Sequence, residues 1–203
     1  MCLWETNSFD QIAMLAGHTG SVNCSRFHPT EQLLVSASGD RSLCVWRLSE
    51  CCDQGDTEYR WGQVTHSVGS SQHVMSPSAR IWGHEDVVSG VDWMPSLSMI
   101  ASSSWDKNVL LWDLQSTHSA PSRTLKGHDG PLTGVSASKN GLLLSCSRDC
   151  TARLWDCREN NALVHVLQGH SNTVTQSILS DDSLRAYTAS DDKTIKVRAL
   201  THP

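Results

Sequence analysis

Four histidines in the sequence are each followed by a hydroxyl side chain and an aspartate at nearly constant spacing. From each histidine to its aspartate the distance along the chain is 22, 22, 21 and 22 residues. Histidine, serine and aspartate are the residue types of a hydrolase triad, in which the histidine takes the proton of a serine nucleophile. The four sets are His18, Ser36 and Asp40; His84, Ser102 and Asp106; His128, Ser145 and Asp149; and His170, Thr188 and Asp192.

The repetition of these sets argues against catalysis. A catalytic site needs one such group of residues in a pocket, not four copies along the chain. In addition, a tryptophan follows the aspartate by six residues in the first three sets, at Trp46, Trp112 and Trp155. Arg198 takes this position in the fourth set. We therefore predict that the protein is not an enzyme.

Each set lies within a unit that is typical of short β-strands. A Gly-His pair begins the unit, and three runs of alternating apolar and polar residues follow, such as "SVNCSRF", "LLVSAS" and "SLCVW" in the first unit. The aspartate falls in the turn between the second and third runs. This pattern predicts all-β architecture. The Gly-His pairs stand at 17–18, 83–84, 127–128 and 169–170, so the last two intervals are 44 and 42 residues.

The period, the Gly-His pairs and the Trp-Asp pairs at 112–113 and 155–156 resemble the WD-repeat family of β-propellers. In that family the strand before Gly-His is the outer strand of the preceding blade. The resemblance implies that "FDQIAMLA", "ARIW", "SRTLK" and "ALVHVLQ" are outer strands. We therefore expect an incomplete, open propeller of about four blades plus half a blade. Its parts are the half blade 1–16 and the repeats 17–48, 83–114, 127–157 and 169–200.

The resemblance also assigns roles to individual residues. It implies that each set forms a buried structural network in which the aspartate accepts from the histidine, the histidine meets the hydroxyl, and the hydroxyl reaches the indole N–H. The fourth network lacks its tryptophan, so we expect a weaker last blade. Partner proteins would bind the top face, where Trp105 and Arg148 stand out as types enriched at binding hot spots. The other expected binding positions there are Asn23, Ser89, Thr133 and Thr175.

A second expected surface is the sequence Trp155-Asp156-x-Arg158, which resembles the box that docks propellers onto a cullin ubiquitin-ligase adaptor. Arg158 would carry that docking. The main prediction is a non-catalytic protein-interaction scaffold, and the alternative is a substrate receptor of a cullin-type ubiquitin ligase. One group of WD-repeat proteins shares the stretch 17–40 and the turn around Trp105. This closer resemblance implies a cytoplasmic and nuclear adaptor that binds other proteins, including cargo-sorting adaptors.

Composition excludes several other classes of function. The net charge is −5 and no two basic residues are adjacent, which argues against nucleic acid or a charged membrane surface as a partner. The eight cysteines form no Cys-x-x-Cys pair, so we expect free thiols, no metal and no cofactor. The polar stretch 49–80 is expected to be a surface loop. The incomplete first and last blades would leave open edges through which the protein could self-associate.

Overall fold

The computed structural model describes residues 1–49, 73–115, 120–158 and 163–200. Within them, eighteen strands form five separate sheets, and a short 3-10 helix at Pro95–Leu97 joins two of the strands. The strands are β1 (Cys2–Trp4), β2 (Gln11–Leu15), β3 (Val22–Phe27), β4 (Leu33–Ser38), β5 (Ser42–Arg47), β6 (His73–Met75), β7 (Ala79–Trp82), β8 (Val88–Met94), β9 (Met99–Ser104), β10 (Val109–Asp113), β11 (Arg123–Leu125), β12 (Leu132–Ala137), β13 (Leu142–Ser147), β14 (Ala152–Asp156), β15 (Leu163–Leu167), β16 (Val174–Leu179), β17 (Arg185–Ser190) and β18 (Ile195–Ala199).

The five sheets follow one another along the chain. Sheet 1 is β1-β2-β6, sheet 2 is β3-β4-β5-β7, sheet 3 is β8-β9-β10-β11, sheet 4 is β12-β13-β14-β15 and sheet 5 is β16-β17-β18. The strands of sheets 2 to 5 are antiparallel to their neighbours. The prediction of an all-β, incomplete propeller is confirmed. The predicted outer strands β7, β11 and β15 lie at the edges of their sheets, whereas β2 lies in the middle of sheet 1, between β1 and β6.

The hydrophobic core lies between consecutive sheets, because side chains alternate between the two faces of a strand. In β4, for example, Val35 packs against sheet 3 whereas Leu34 packs against sheet 1. Four buried clusters join sheets 1 and 2, 2 and 3, 3 and 4, and 4 and 5. No buried cluster of the described residues joins sheet 5 to sheet 1. The structure is therefore an open arc of sheets.

The predicted loop at 49–80 needs a correction at its end. Residues 73–75 form strand β6, which pairs in parallel with the outer edge of β2 and places Val74 opposite Met14. Met75 is buried with Leu15 in the cluster between sheets 1 and 2, and this burial favours the pairing. The rest of that loop, 50–72, lies outside the described residues.

Two further features of the described residues concern cysteines and membranes. The six cysteines among them form no disulfide. No helix in this part of the chain is long and apolar enough to cross a membrane.

Candidate functional site

The four sets of histidine, hydroxyl and aspartate are each brought together by one turn and two strands. In sheet 4, His128 Nδ1 lies 2.7 Å from Asp149 Oδ2, and His128 Nε2 lies 2.8 Å from Ser145 Oγ. The indole Nε1–H of Trp155 donates to the same Ser145 oxygen at 2.8 Å. The same three contacts, in the same order, measure 3.0, 2.7 and 3.0 Å in the network of sheet 2 and 2.7, 2.7 and 2.8 Å in that of sheet 3.

The two ends of this network, together with the neutral state of its histidine, fix the direction of every hydrogen bond in it. An indole N–H can only donate and an ionised carboxylate can only accept. Ser145 therefore accepts from Trp155 and donates to Nε2 of His128. The histidine is neutral and carries its proton on Nδ1, which donates to Asp149.

The same geometry excludes the serine as a nucleophile. Ser36, Ser102 and Ser145 are completely buried, and each oxygen already binds an indole and an imidazole. A substrate carbonyl could not reach these atoms. The arrangement has the residue types of a triad but performs a structural task.

The electrostatics of the network favour this neutral-histidine, charged-aspartate state. Burial alone would raise the pKa of Asp149, but hydrogen bonds from the Thr151 hydroxyl and His128 outweigh it and hold the pKa below its usual range. The pKa of His128 is lowered, because burial of the imidazole outweighs its hydrogen bond to Asp149. The folded protein therefore favours the neutral form of His128 over the protonated form.

The fourth network, in sheet 5, has one member fewer than the other three. His170 lies 2.7 Å from Asp192 and 2.8 Å from the Thr188 hydroxyl, as in the other sheets. Arg198, which replaces the tryptophan, donates instead to the backbone carbonyl of Gln168 at 2.8 Å. The Thr188 hydroxyl therefore has no indole donor, and sheet 5 lacks one of the contacts that tie its third strand to the second.

One backbone hydrogen bond recurs at the top of each repeat and fixes the surface residues. The residue before the turn aspartate donates its N–H to the carbonyl of the residue three positions after the histidine. The four bonds measure 2.8 to 3.0 Å and run from Gly39 to Ser21, from Trp105 to Val87, from Arg148 to Pro131 and from Asp191 to Thr173. Gly39, Trp105, Arg148 and Asp191 therefore occupy equivalent places on four successive sheets.

Trp105 and Arg148 contact each other across the junction of sheets 3 and 4. The guanidinium carbon of Arg148 lies 4.8 Å from the centre of the Trp105 ring, within the range of a cation–π interaction. Trp105 remains 38% exposed, and Arg148 is exposed as well. Within the described part of the chain the Arg148 side chain makes no ion pair or hydrogen bond. We call these two residues the Trp105–Arg148 surface.

The other four residues predicted to bind partners use their polar atoms within the fold. The side chain of Asn23 donates to the carbonyl of Val88 at 2.9 Å, and that of Thr133 donates to the carbonyl of Val174. Both bonds connect neighbouring sheets. Ser89 and Thr175 instead donate to carbonyls of the second strand in their own sheets, at 3.1 and 3.2 Å. Asn23, Ser89 and Thr133 also line a cavity of about 580 Å³ along the inner strands.

Arg158 lies at the opposite end of its repeat from the turn. Its side chain pairs with Asp156 through two contacts, 3.0 Å from Nε to Oδ1 and 2.6 Å from Nη2 to Oδ2. The guanidinium is about half exposed. Docking through this residue stays a prediction.

Contacts between the inner strands were not anticipated from the sequence. Asp92 on β8 accepts the backbone N–H of Ala137 on β12 at 2.9 Å, and burial raises the pKa of this carboxyl. The indole of Trp93 donates back to the carbonyl of Arg26 on β3 at 2.9 Å. A polar residue at the fifth position of the first three inner strands, which is Arg26, Asp92 and Ser136, was the available signal. Among the described residues no cluster of histidine, cysteine, aspartate and glutamate could hold a metal ion.

Comparison with known proteins agrees with this architecture. The WD domain, G-beta repeat family matches residues 9–47, 75–113, 119–156 and 161–198. The chain is 32% identical over 219 residues to WD repeat-containing protein 37 of Mus musculus and 31% identical over 217 residues to that of Homo sapiens. These alignments cover 96% of this chain and 43% and 42% of the relatives. A ribosome biogenesis protein WDR12 homolog of Anopheles gambiae is 28% identical over 85% of this chain and 40% of its own length. The chain thus spans less than half the length of these relatives.

Proposed function

The chain belongs to the WD40-repeat family, and from this premise we propose that it is a non-catalytic scaffold that binds other proteins through the Trp105–Arg148 surface. The repeated polar networks support this proposal, because they use their serine, histidine and aspartate side chains to hold strands together. A function in this protein is then carried by what the sheets present to solvent.

The exposed Trp105 is the observation that carries the proposal. An equivalent position on sheet 2 is Gly39, so neither the turn nor the backbone hydrogen bond to Val87 requires a tryptophan. Covering a large aromatic side chain with a partner is favourable, because it removes apolar surface from water. Tryptophan and arginine are also enriched among the residues that contribute most of the binding energy at protein interfaces. Arg148 is exposed beside the ring, so acceptors on a partner can bind its guanidinium.

The experiment compares two tryptophans that have similar surroundings. Trp82 on β7 is also exposed and also has an arginine above its ring, with Arg80 at 5.8 Å. Tagged wild-type protein, Trp105→Ala and Trp82→Ala are expressed in cells, and co-purified proteins are quantified by mass spectrometry. A partner that depends on Trp105 is then purified, and its dissociation constant is measured for all three proteins.

We expect Trp105→Ala to weaken binding by about 30-fold or more, as for a residue worth about 2 kcal/mol at a hot spot. Trp82→Ala should bind like the wild type, and both variants should keep the wild-type circular dichroism spectrum. The proposal is wrong if every specific partner binds Trp105→Ala as tightly as it binds the parent protein.

A further inference from the structure

A groove opens between sheets 2 and 3, at the end of the sheets opposite to the turn aspartates, and has a volume of about 410 Å³. Its apolar lining comes from both sheets and includes Leu33, Val45, Trp93 and Met99. Each of the two sheets has four strands and also packs against a further sheet through its other face. The groove is therefore part of a complete contact between neighbouring sheets.

The same place between sheets 3 and 4 is filled by a leucine of the chain itself. Leu97 stands thirteen residues after His84 and packs against the buried cluster between these two sheets. Its side chain reaches Gly141 of sheet 4, where a Cβ would lie 3.8 Å from Leu97 Cδ1. The residue thirteen positions after His18 is Glu31, which is exposed and lines the groove. The groove stays open because sheet 2 has a charged side chain where sheet 3 has a leucine.

Two exposed charges of opposite sign border the groove. Glu31 lies in the turn between β3 and β4, and Arg47 ends β5, opposite Leu33 in the strand register. Within the described ranges, neither side chain makes an ion pair or a hydrogen bond. A charge beside a groove from which water is partly excluded attracts an opposite charge more strongly than it does in bulk water. The border therefore favours a ligand that carries an acidic group toward Arg47 and a basic group toward Glu31.

The wall of the groove is held in place before any ligand binds. His28 Nδ1 accepts the backbone N–H of Glu31 at 3.0 Å, which fixes the turn that carries this carboxylate. The His28 ring stands edge-on to Trp93, with 4.7 Å between the ring centres. The indole of Trp93 is in turn fixed by its hydrogen bond to the carbonyl of Arg26 at 2.9 Å. A ligand that enters such a preformed groove loses less free energy to ordering the protein.

From these observations we propose that the groove binds an extended peptide of a partner protein, in which a leucine or another large aliphatic residue lies between a basic and an acidic residue. The aliphatic side chain enters the groove as Leu97 enters the next contact between sheets. The acidic residue pairs with Arg47 and the basic residue pairs with Glu31. This surface lies at the other end of the sheets from the Trp105–Arg148 surface and does not depend on it.

The first test selects random peptides displayed on phage against residues 1–203. The selected peptides are synthesised with a fluorescein label, and their dissociation constants are measured by fluorescence polarisation. We expect the selected sequences to share an aliphatic residue between a basic and an acidic one. Glu31→Leu should weaken their binding by about 10-fold or more and raise the melting temperature, because its leucine fills the groove from within. Gln32→Leu is the matched control, since it adds the same side chain at an exposed position that does not line the groove; it should bind like the wild type.

A reversal of charge tests the pairing at the border. Arg47→Glu should weaken the selected peptides by about 10-fold, and exchange of their acidic residue for lysine should restore binding to this variant. Trp105→Ala should bind the peptides like the wild type, so a failure of the Trp105–Arg148 surface and a failure of the groove can be told apart. Circular dichroism establishes that each variant is folded.

Three results overturn the proposal. The first is that no peptide is selected, as when another part of the chain already fills the groove. The second is that the selected peptides lack the pattern or bind Glu31→Leu as tightly as the wild type. The third is that the reversed peptide does not recover binding to Arg47→Glu.

Discussion

Replacement of His128 by alanine should destabilise the protein strongly, because the histidine joins two buried polar groups. Ser145 would keep the donor of Trp155 but lose the acceptor for its own proton. A buried hydroxyl left unsatisfied costs about 1–3 kcal/mol, and a lost hydrogen bond to a carboxylate costs about 1.5–3 kcal/mol. Asp149 would retain three donors, from Asp129 and Thr151, so its loss is limited to that one bond. The sum is about 2.5–6 kcal/mol.

The assay is urea unfolding followed by circular dichroism and by tryptophan fluorescence, together with a thermal melt. For a chain of this size each kcal/mol lowers the melting temperature by about 2–4 °C, so we expect a decrease of about 5–24 °C. His170→Ala is the control, since its network has no indole donor and is closer to solvent; its effect should be clearly smaller. If His128→Ala loses less than about 1 kcal/mol, or no more than His170→Ala, the network does not hold the sheet in the way described.

Three further predictions concern pH, packing and partner choice. The pKa of His128 is lowered in the folded protein from its ordinary value of 6.5, so below about pH 6.5 the unfolded chain binds a proton that the folded protein does not. The urea midpoint should therefore fall as the pH decreases from 7 to 5. An unchanged midpoint would contradict this prediction. Gly90→Ala should lower the melting temperature, because a Cβ there would lie 2.8 Å from Ser103 Oγ and 3.1 Å from Gly134 Cα in the next sheet; Gly134→Ala, whose Cβ would make only ordinary contacts at 3.5 and 3.6 Å, is the comparison and should lower it less. If the protein is a ligase receptor, Arg158→Ala should abolish co-purification of the cullin adaptor, and if no adaptor binds the wild type that alternative is wrong.

The sequence was sufficient to predict the features that repeat. Because the Gly-His pairs and turn aspartates recur at a fixed interval, the repeating unit of three strands could be predicted from the residues, and the resemblance to the WD-repeat family implied the outer strands and the roles within each network. The arginine at position 198 likewise indicated which network would be incomplete. Local patterns of this kind depend on neighbours within one repeat, and one repeat is short enough to be recognised by its period.

Features that depend on contacts between repeats could not be predicted in this way. Strand β6 lies in a polar stretch without alternation, and its pairing with β2 depends on the burial of Met75 across a long separation in sequence. The side chains of Asn23 and Thr133 were expected to face partners, but each lies close to a carbonyl of the next sheet. Whether a polar side chain at such a position reaches a neighbouring sheet or solvent is decided by the distance between sheets, which no single repeat encodes.

The networks and the Trp105–Arg148 surface are connected through the turn before the aspartate of each sheet. Trp105 stands directly before Asp106, whose carboxylate binds His84 at 2.7 Å, and directly after Ser104, whose hydroxyl accepts the N–H of Asp106 at 3.1 Å. Its own N–H is held by Val87. The backbone on both sides of Trp105 is thus fixed by the network, and only its side chain is free to vary. A surface residue on such a rigid turn loses little conformational entropy on binding. This arrangement lets the sequence change the exposed residue, from glycine on sheet 2 to tryptophan on sheet 3 and arginine on sheet 4, without changing the fold that presents it.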